Sequence, residues 1–540
     1  MRSVKSIILS ALLVTIPVMV FAGGAAAAPA AKTSGPAKID SPYVLPKFDP
    51  PQKFTIFYQL NAKATRTIKD YSEMTVFQEW KKRFGFDFQF IHPAMGREAE
   101  VFNLMRASGD FPDFIYWQDW TNIANGLDSG LKEGLITNLN SYLTNNNAPN
   151  ILKYFAQNPV VKKYVVTDSG VFFGFPMIRY KMTTSVVWGF LIREDWVNKV
   201  GMKVADINTV DDLYKALTLF KKSNINGDGK PVYPYMAKGT ELQNSLAMWG
   251  IAPAFYVKNN KVSYGPSDPE FATAVTTLAK WYAEGLIDPD YATADIKKGD
   301  ALMLNNTSGF YWGETGGISA MYMAAWKDSQ PNAKVVGIAA PAAAPGAKHY
   351  TNNQDLIWDG TAMAISRNNK FPVESVRLMD YWFSPEGDMF QNFGFEGITY
   401  NMVNGQPKLT DWVTKNPDGL SIDQAIARHT VGGMNGIYNS SSSMREQRML
   451  FFDWQRDSIS RWITQEGMQM PRVQATPEES KRLSQLMGDI NTYRNEMFDK
   501  FVMGKEPLSN IGAFTAKLKS MGIDEAIAIQ QAALDRLNRR

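Results

Sequence analysis

The chain has 540 residues, with 57 Lys+Arg, 53 Asp+Glu, three His and no Cys, for a formal charge of +4. At about 150 residues per domain the length allows three or four units. A 45% hydrophobic and 20% charged composition excludes a disordered or collagen-like chain. Zero cysteine excludes disulfides, thiolate metal sites, thiol nucleophiles and cysteine lipidation. His92, His349 and His429 are far apart in sequence, which disfavours a His-based metal centre or triad, and the charge is too weak to suggest nucleic acid.

Arg2 and Lys5 precede an apolar run from Ser6 to Phe21, and small residues, AGGAAAA, follow. That order reads as a secretory signal, and the run is shorter than the roughly 20 residues a spanning helix needs. The expected signal peptide is residues 1–22, cut after Ala22, with a second cut within Ala25 to Ala28 equally open. Its removal takes away two cations and lowers the formal charge to +2. Residues 23–52 are rich in alanine and proline and predict an extended linker. No later run is long and apolar enough to span a membrane.

The body starts with an alternating strand, KFTIFYQL, at Lys53 to Leu60. A helix is predicted over Thr75 to Phe84, a strand over Asp87 to Pro93, and a helix over Arg97 to Ser108 with Val101, Leu104 and Met105 on one face. A Gly109 to Asp113 turn leads into the strand FIYW. Strand–helix alternation begins again at Val186 to Trp196 and continues with helices near Val210 to Phe220 and Phe271 to Glu284. Strands at Lys334 to Pro341 and Gly360 to Ser366 and a helix at Val373 to Phe383 follow. Thr476-Pro477-Glu478-Glu479 is a capping box with proline at the first helical position. Beyond it Leu483, Leu486, Met487, Ile490, Tyr493, Met497 and Phe501 form a stripe read as core. This pattern predicts an α/β protein of two lobes with a cleft and a helix-rich C-terminal part.

Six segments together resemble the extracellular solute-binding proteins of ABC importers (family 1), and among them the large oligosaccharide- and alginate-binding group. They are FNLMRASGDFPDFI (Phe102 to Ile115), FLIREDWVNKVGM (Phe190 to Met202), NTVDDLYKALTLFKKSNINGDGK (Asn208 to Lys230), LAKWYAEGLIDPD (Leu278 to Asp290), FPVESVRLMDYWFSPEGDMFQNFGFEGITY (Phe371 to Tyr400) and FVMGKEPL (Phe501 to Leu508). The resemblance implies a periplasmic-binding-protein fold whose hinge-linked lobes close on a ligand. It also implies a non-enzyme with no required cofactor, an oligosaccharide ligand, ABC permease subunits as membrane partners, and a monomer. Crossings between lobes are expected at Phe172 to Tyr180, near Leu304 to Phe310 and near Ser366, where Gly174, Pro176 and Gly309 suit bends. The expected lobes are thus 53–175 for the first, 176–305 for the second, 306–365 as a return to the first, and 366–540 for the second with the C-terminal helices.

A sugar is held by flat apolar faces under its C–H surface and by polar groups around its hydroxyls. The candidates lie in loops after strands, where open α/β sheets put their crevices. They are Trp117, Gln118 and Trp120; Arg179 and Tyr180; Tyr311, Trp312 and Glu314; Trp358 and Asp359; and Glu396 with Tyr400. Arg179 leans the reading slightly toward a carboxylate contact. The loop Asn224 to Lys230 spaces Asn224, Asn226 and Asp228 as an EF-hand does, with the Lys230 carbonyl next. The related alginate-binding proteins carry a calcium loop in this place. Here Pro231, Val232 and Tyr233 replace the acidic residues expected beyond the lysine, so a structural calcium and a turn held by its own Asx hydrogen bonds both stay open.

No HExxH, Walker A or G-x-S-x-G pattern is present. A glycosidase carboxylate pair leaves no local signature, so a secreted polysaccharide hydrolase or lyase stands as the rival class, with a peptide-binding transport protein as a further alternative. Family members in Gram-positive bacteria are commonly anchored through a cysteine directly after the signal. Here the stretch reads VFAGGAAAA, with no lipobox cysteine. A periplasmic or secreted protein, free of lipid, is expected.

Overall fold

The computed structural model describes residues 43–540 apart from 124, 125, 180, 181, 183, 224, 228, 433–435, 437 and 438. The expected signal peptide and most of the expected linker lie outside these. The end of that linker is not a tether. Phe48 is buried, its ring 5.2 Å from that of Phe86 and 5.0 Å from that of Phe371, and its amide donates to the Phe84 carbonyl. The first lobe therefore begins ahead of Lys53. Proline content marks an extended chain, but one phenylalanine with several aromatic neighbours is enough to dock it.

Nine strands build two sheets: β1 (Gln52–Phe57), β2 (Phe86–Ile91), β3 (Phe114–Trp117), β4 (Gly174–Ile178), β5 (Trp188–Arg193), β6 (Tyr235–Met236), β7 (Phe310–Glu314), β8 (Val335–Ile338) and β9 (Trp358–Ile365). The first sheet has the order β2-β1-β3-β9-β4. In it β1 runs parallel to β2 and β3, while β9 runs antiparallel to β3 and β4. The helices Thr75–Phe84 and Glu98–Ser108 make the crossovers. The first of these ends at Gly85, whose φ of 72° and approach to the Phe48 carbonyl leave no room for a Cβ. β3, β4 and β9, buried almost throughout, read as apolar runs, whereas β1 and β2 alternate. Phe54 stacks on Phe86 at 4.6 Å, and Trp80 meets Trp382 of the helix Pro372–Tyr381 and its C-cap at 3.8 Å.

The second sheet has the order β8-β5-β7-β6, with β5 antiparallel to both β8 and β7. Phe190 stacks on Phe310 at 5.4 Å across the β5/β7 pair. The helix Pro477–Val502, capped by Thr476 as its sequence predicts, buries Leu486, Ile490, Met497 and Phe501 in the second lobe's core. The helix Ile523–Arg539 packs there too. Its Arg536 pairs with Asp168 of the first lobe at 2.8 Å, and the Gln474 amide donates to the Val166 carbonyl.

Two expected crossings are corrected by this pairing. β7 and β8 belong to the second sheet, so 306–338 is not a return to the first lobe; the return comes between Ile338 and Trp358. The segment after Ser366 stays with the first lobe, since Val376, Leu378, Trp382 and Val431 are buried in its core. The chain goes back near Met449, which is buried with Leu191 and Val335. Strand propensity locates β7, but only its hydrogen-bond partners β5 and β6 assign it to a lobe, and both are remote in the sequence.

Candidate functional site

The chain crosses between lobes after β4, between β8 and β9, and between Val431 and Met449, and beyond Gly467 it makes a further passage along the interface before rejoining the second lobe at the helix Pro477–Val502. All four passages line one cavity of about 410 Å³. Arg179, Val187 and Trp188 come from the first passage, Asn353 to Leu356 from the second, Ser440, Arg445 and Arg448 from the third, and Gln469 and Arg472 from the last. Asn61 and Lys63 beyond β1, Asp359 of β9 and Glu314 at the end of β7 complete the wall. This is the crevice at the strand ends where open sheets hold ligands.

The wall is densely charged and internally paired. Lys63 Nζ lies 2.6 Å from Asp423 and 3.4 Å from Glu314. Arg448 Nε donates to the other oxygen of Asp423 at 2.6 Å. Arg179 pairs with Asp359 at 2.6 Å, Arg445 with Asp355 at 2.5 Å, and Arg472 with Asp119 at 3.2 Å. Burial works against the charged form of Asp423, yet Arg448 and Lys63 hold its carboxyl below the usual range. Lys63 is likewise held above its ordinary value by Asp423 and Glu314 against the cost of burial. Asp359 is lowered because Arg179 outweighs burial. Asp355 is raised because burial outweighs Arg445 and Arg179. Gly360, at φ 97°, brings β9 within contact of Asp119, which a side chain there would obstruct.

Residues 63–389 match the family of bacterial extracellular solute-binding proteins, well over half of the chain. The chain belongs to that family. Lipoprotein LipO of Bacillus subtilis (strain 168) is 24% identical over 441 residues, which are 80% of each chain. The fructooligosaccharide ABC transporter substrate-binding protein FusA of Streptococcus pneumoniae serotype 4 is 22% identical over 506 residues, covering 88% of this chain and 89% of that one. Among solved structures, alginate-binding protein AlgQ2 without calcium ion has a TM-score of 0.76 at 23% identity, covering 91% of this chain and all of that chain. FusA in complex with kestose has a TM-score of 0.73 at 20% identity, over 90% of this chain and all of that one. This solute-binding protein thus shares its two-lobed fold with them. Among the described residues, no helix is long and apolar enough to cross a membrane.

Of the residues expected to bind ligand, Arg179, Glu314 and Asp359 come together in the cleft of this solute-binding protein. Trp312 is half-buried behind its wall, stacked at 4.7 Å on Trp188. Three aromatic candidates are core residues instead. Trp120 is fully buried and donates Nε1–H to the Ala362 carbonyl; Trp358 is buried and donates to the Thr361 carbonyl; Tyr311 is buried with its hydroxyl on Ser319. With polar atoms satisfied and faces covered, they offer a ligand nothing. Trp117 lies outside the cavity lining, stacked on Phe102 at 4.2 Å, and Gln118 is exposed with its amide on Gln59. Glu396 is exposed and Tyr400 packs on Phe393, both outside the lining. Tyr180 lies outside the described residues.

The sequence reading missed Lys63, Asp355, Arg445, Arg448, Arg472 and Trp188. Asp355 and Trp188 lie within stretches whose loop and strand character was legible. The lysine and the arginines carry no local signal.

Of the expected calcium ligands, Asn224 and Asp228 lie outside the described residues. Asn226 Oδ1 is buried without a hydrogen-bond partner among the described residues, as a cation ligand would be. The other contacts oppose a cation. Asn226 Nδ2 donates to the Lys230 carbonyl, and the Lys199 ammonium sits 2.8 Å from the Ile225 carbonyl. Asp228 is the loop's only carboxylate.

Proposed function

We propose that this protein captures a neutral, hydroxyl-rich oligosaccharide between its lobes and delivers it to an ABC permease. The observation that carries this is the pairing of charge in the cleft. Each of the five cations on the wall stands against a carboxylate, so an acidic ligand would find no unopposed charge and would have to displace an existing partner. Paired guanidinium and carboxylate groups still offer strong, directional hydrogen bonds to hydroxyls. This replaces the lean toward a carboxylate that Arg179 alone suggested, because Asp359 already holds that guanidinium. An oligosaccharide ligand is also supported by relatives whose names record sugars, alginate for AlgQ2 and kestose for FusA, of which kestose is neutral and alginate acidic. Lobe closure about the three crossings is the mechanism, with no bond made or broken. A monomer free in the periplasm completes the reading.

The test is thermal shift and product analysis with neutral and uronate oligosaccharides at low and high salt. Neutral sugars should raise Tm with little salt dependence and emerge uncut. Uronates binding tenfold tighter with a steep salt dependence would overturn the neutral assignment. The enzyme reading has one observation in its favour: Asp355 and Asp359 line one cavity with carboxyls pushed in opposite directions. Shorter products lost on Asp355→Asn substitution would establish it. For the 224–230 loop we propose a turn held by its own hydrogen bonds, needing no metal.

A further inference from the structure

The space between the lobes holds a second cavity, of about 500 Å³. Its wall is drawn from residues 121–123 of the first lobe, 252–256 of the second, the helix Pro477–Val502 and the passage Met468 to Val473. Gln469 and Arg472 line both cavities, so the two adjoin across that passage. Arg472 stands at the junction, its Nε on the Asp359 carbonyl at 2.9 Å and its guanidinium against Asp119.

The chemistry of the second wall differs. Apart from Arg472 it carries no charged side chain. It combines amides, such as Asn352 and Asn491, with aromatic and apolar surface at Phe255, Tyr256 and Met487. Gln469 Oε1, on the wall that the two chambers share, is buried and has no hydrogen-bond partner among the described residues; the same holds in the charged chamber for Arg445 Nε and, its ion pair with Arg445 apart, for Asp355 Oδ2. A buried acceptor left without a donor costs stability that a ligand hydroxyl would recover. Amides beside flat apolar surface suit a pyranose or furanose ring, with C–H patches on the aromatics and hydroxyls on the amides. The volume is that of a small-molecule site in its own right.

We infer that this uncharged chamber is a second ligand compartment, which takes further neutral sugar units of the same oligosaccharide once its first units occupy the charged chamber. The inference rests on the oligosaccharide reading above. Ligand length is then sensed here, and Arg472 is the polar group that the chain passes between the two chambers.

The experiment is calorimetry on the purified protein with malto- and fructo-oligosaccharide ladders, from disaccharide to heptasaccharide. The unsubstituted protein should bind long members about tenfold or more tighter than short ones. Ser484→Trp fills the chamber from an exposed helical position, and Asn491→Leu removes an amide; circular dichroism and Tm establish that each variant is folded. In Ser484→Trp the ratio between long and short members should fall to about one, and in Asn491→Leu it should fall several-fold. An unchanged ratio in both folded variants overturns the second compartment while leaving the first intact. No binding of any ladder member to the unsubstituted protein would remove the oligosaccharide reading, and this one with it.

Discussion

The two chambers between the lobes are close in size and share Gln469 and Arg472, yet they are built on opposite principles. The charged chamber is held by ion pairs that link distant parts of the chain. Lys63 reaches Asp423 across 360 residues, and Asp423 in turn reaches Arg448. The uncharged chamber has no such lattice, the shared Arg472 being the one charged side chain on its wall among the described residues. The first wall is tied together by charge, whereas the second is built from amides and apolar side chains. A charge-linked wall in one place and an uncharged one in the other would let one protein fix a ligand's end and favour ligands long enough to reach the second chamber.

The largest effect is expected from breaking the ionic wall. Asp423→Asn leaves Lys63 and Arg448 without their shared carboxylate and should cost about 3–5 kcal/mol in urea unfolding at neutral pH. The sign with pH follows from the lowered carboxyl of Asp423. Its contribution is fully present above the unfolded-state value near 4 and is lost as pH falls through the lower folded-state value. The gap between the two proteins should therefore close as pH drops below about 4; a gap that persists there would show that shape, not charge, matters at this position.

Trp188→Ala comes next. It removes the aromatic face of the charged chamber and should weaken sugar binding by about 2 kcal/mol, roughly thirtyfold, in the same calorimetric titration. In the uncharged chamber, Asn491→Leu should change unfolding stability by no more than about 0.5 kcal/mol, with no pH dependence. A stability loss as large as that of Asp423→Asn would erase the contrast between the walls. The smallest effect is expected for calcium, whose addition at millimolar level should move Tm by less than about 1 °C; a larger rise, reversed by chelator, would restore the loop as a metal site.

Much of the fold is legible in the sequence because its signals are local. The helix Thr75–Phe84 coincides with its predicted span, and the cap at Thr476 forms as its four-residue motif predicts. The lobe boundaries are not legible, since β7 and β8 are recognisable as strands but acquire their sheet only through pairing, β8 with β5 and β7 with β5 and β6. The site divides along the same line. Trp120 and Trp358 look like binding residues because they flank strands, but their indoles turn inward onto backbone carbonyls. Lys63 and Arg448 look like ordinary surface cations because Asp423, which gives both their place, lies 360 residues from the one and 25 from the other, beyond any local motif.

The stacked indoles of Trp188 and Trp312, 4.7 Å apart and inclined by 27°, lie on neighbouring strands, with Trp188 exposed to the cavity. Two such chromophores at that separation interact electronically. Their combined near-ultraviolet circular dichroism then depends on their mutual angle and on whatever covers the outer ring. The protein carries its own optical gauge of occupancy, so the arrival of a ligand can be followed in native material without dye, tag or mutation.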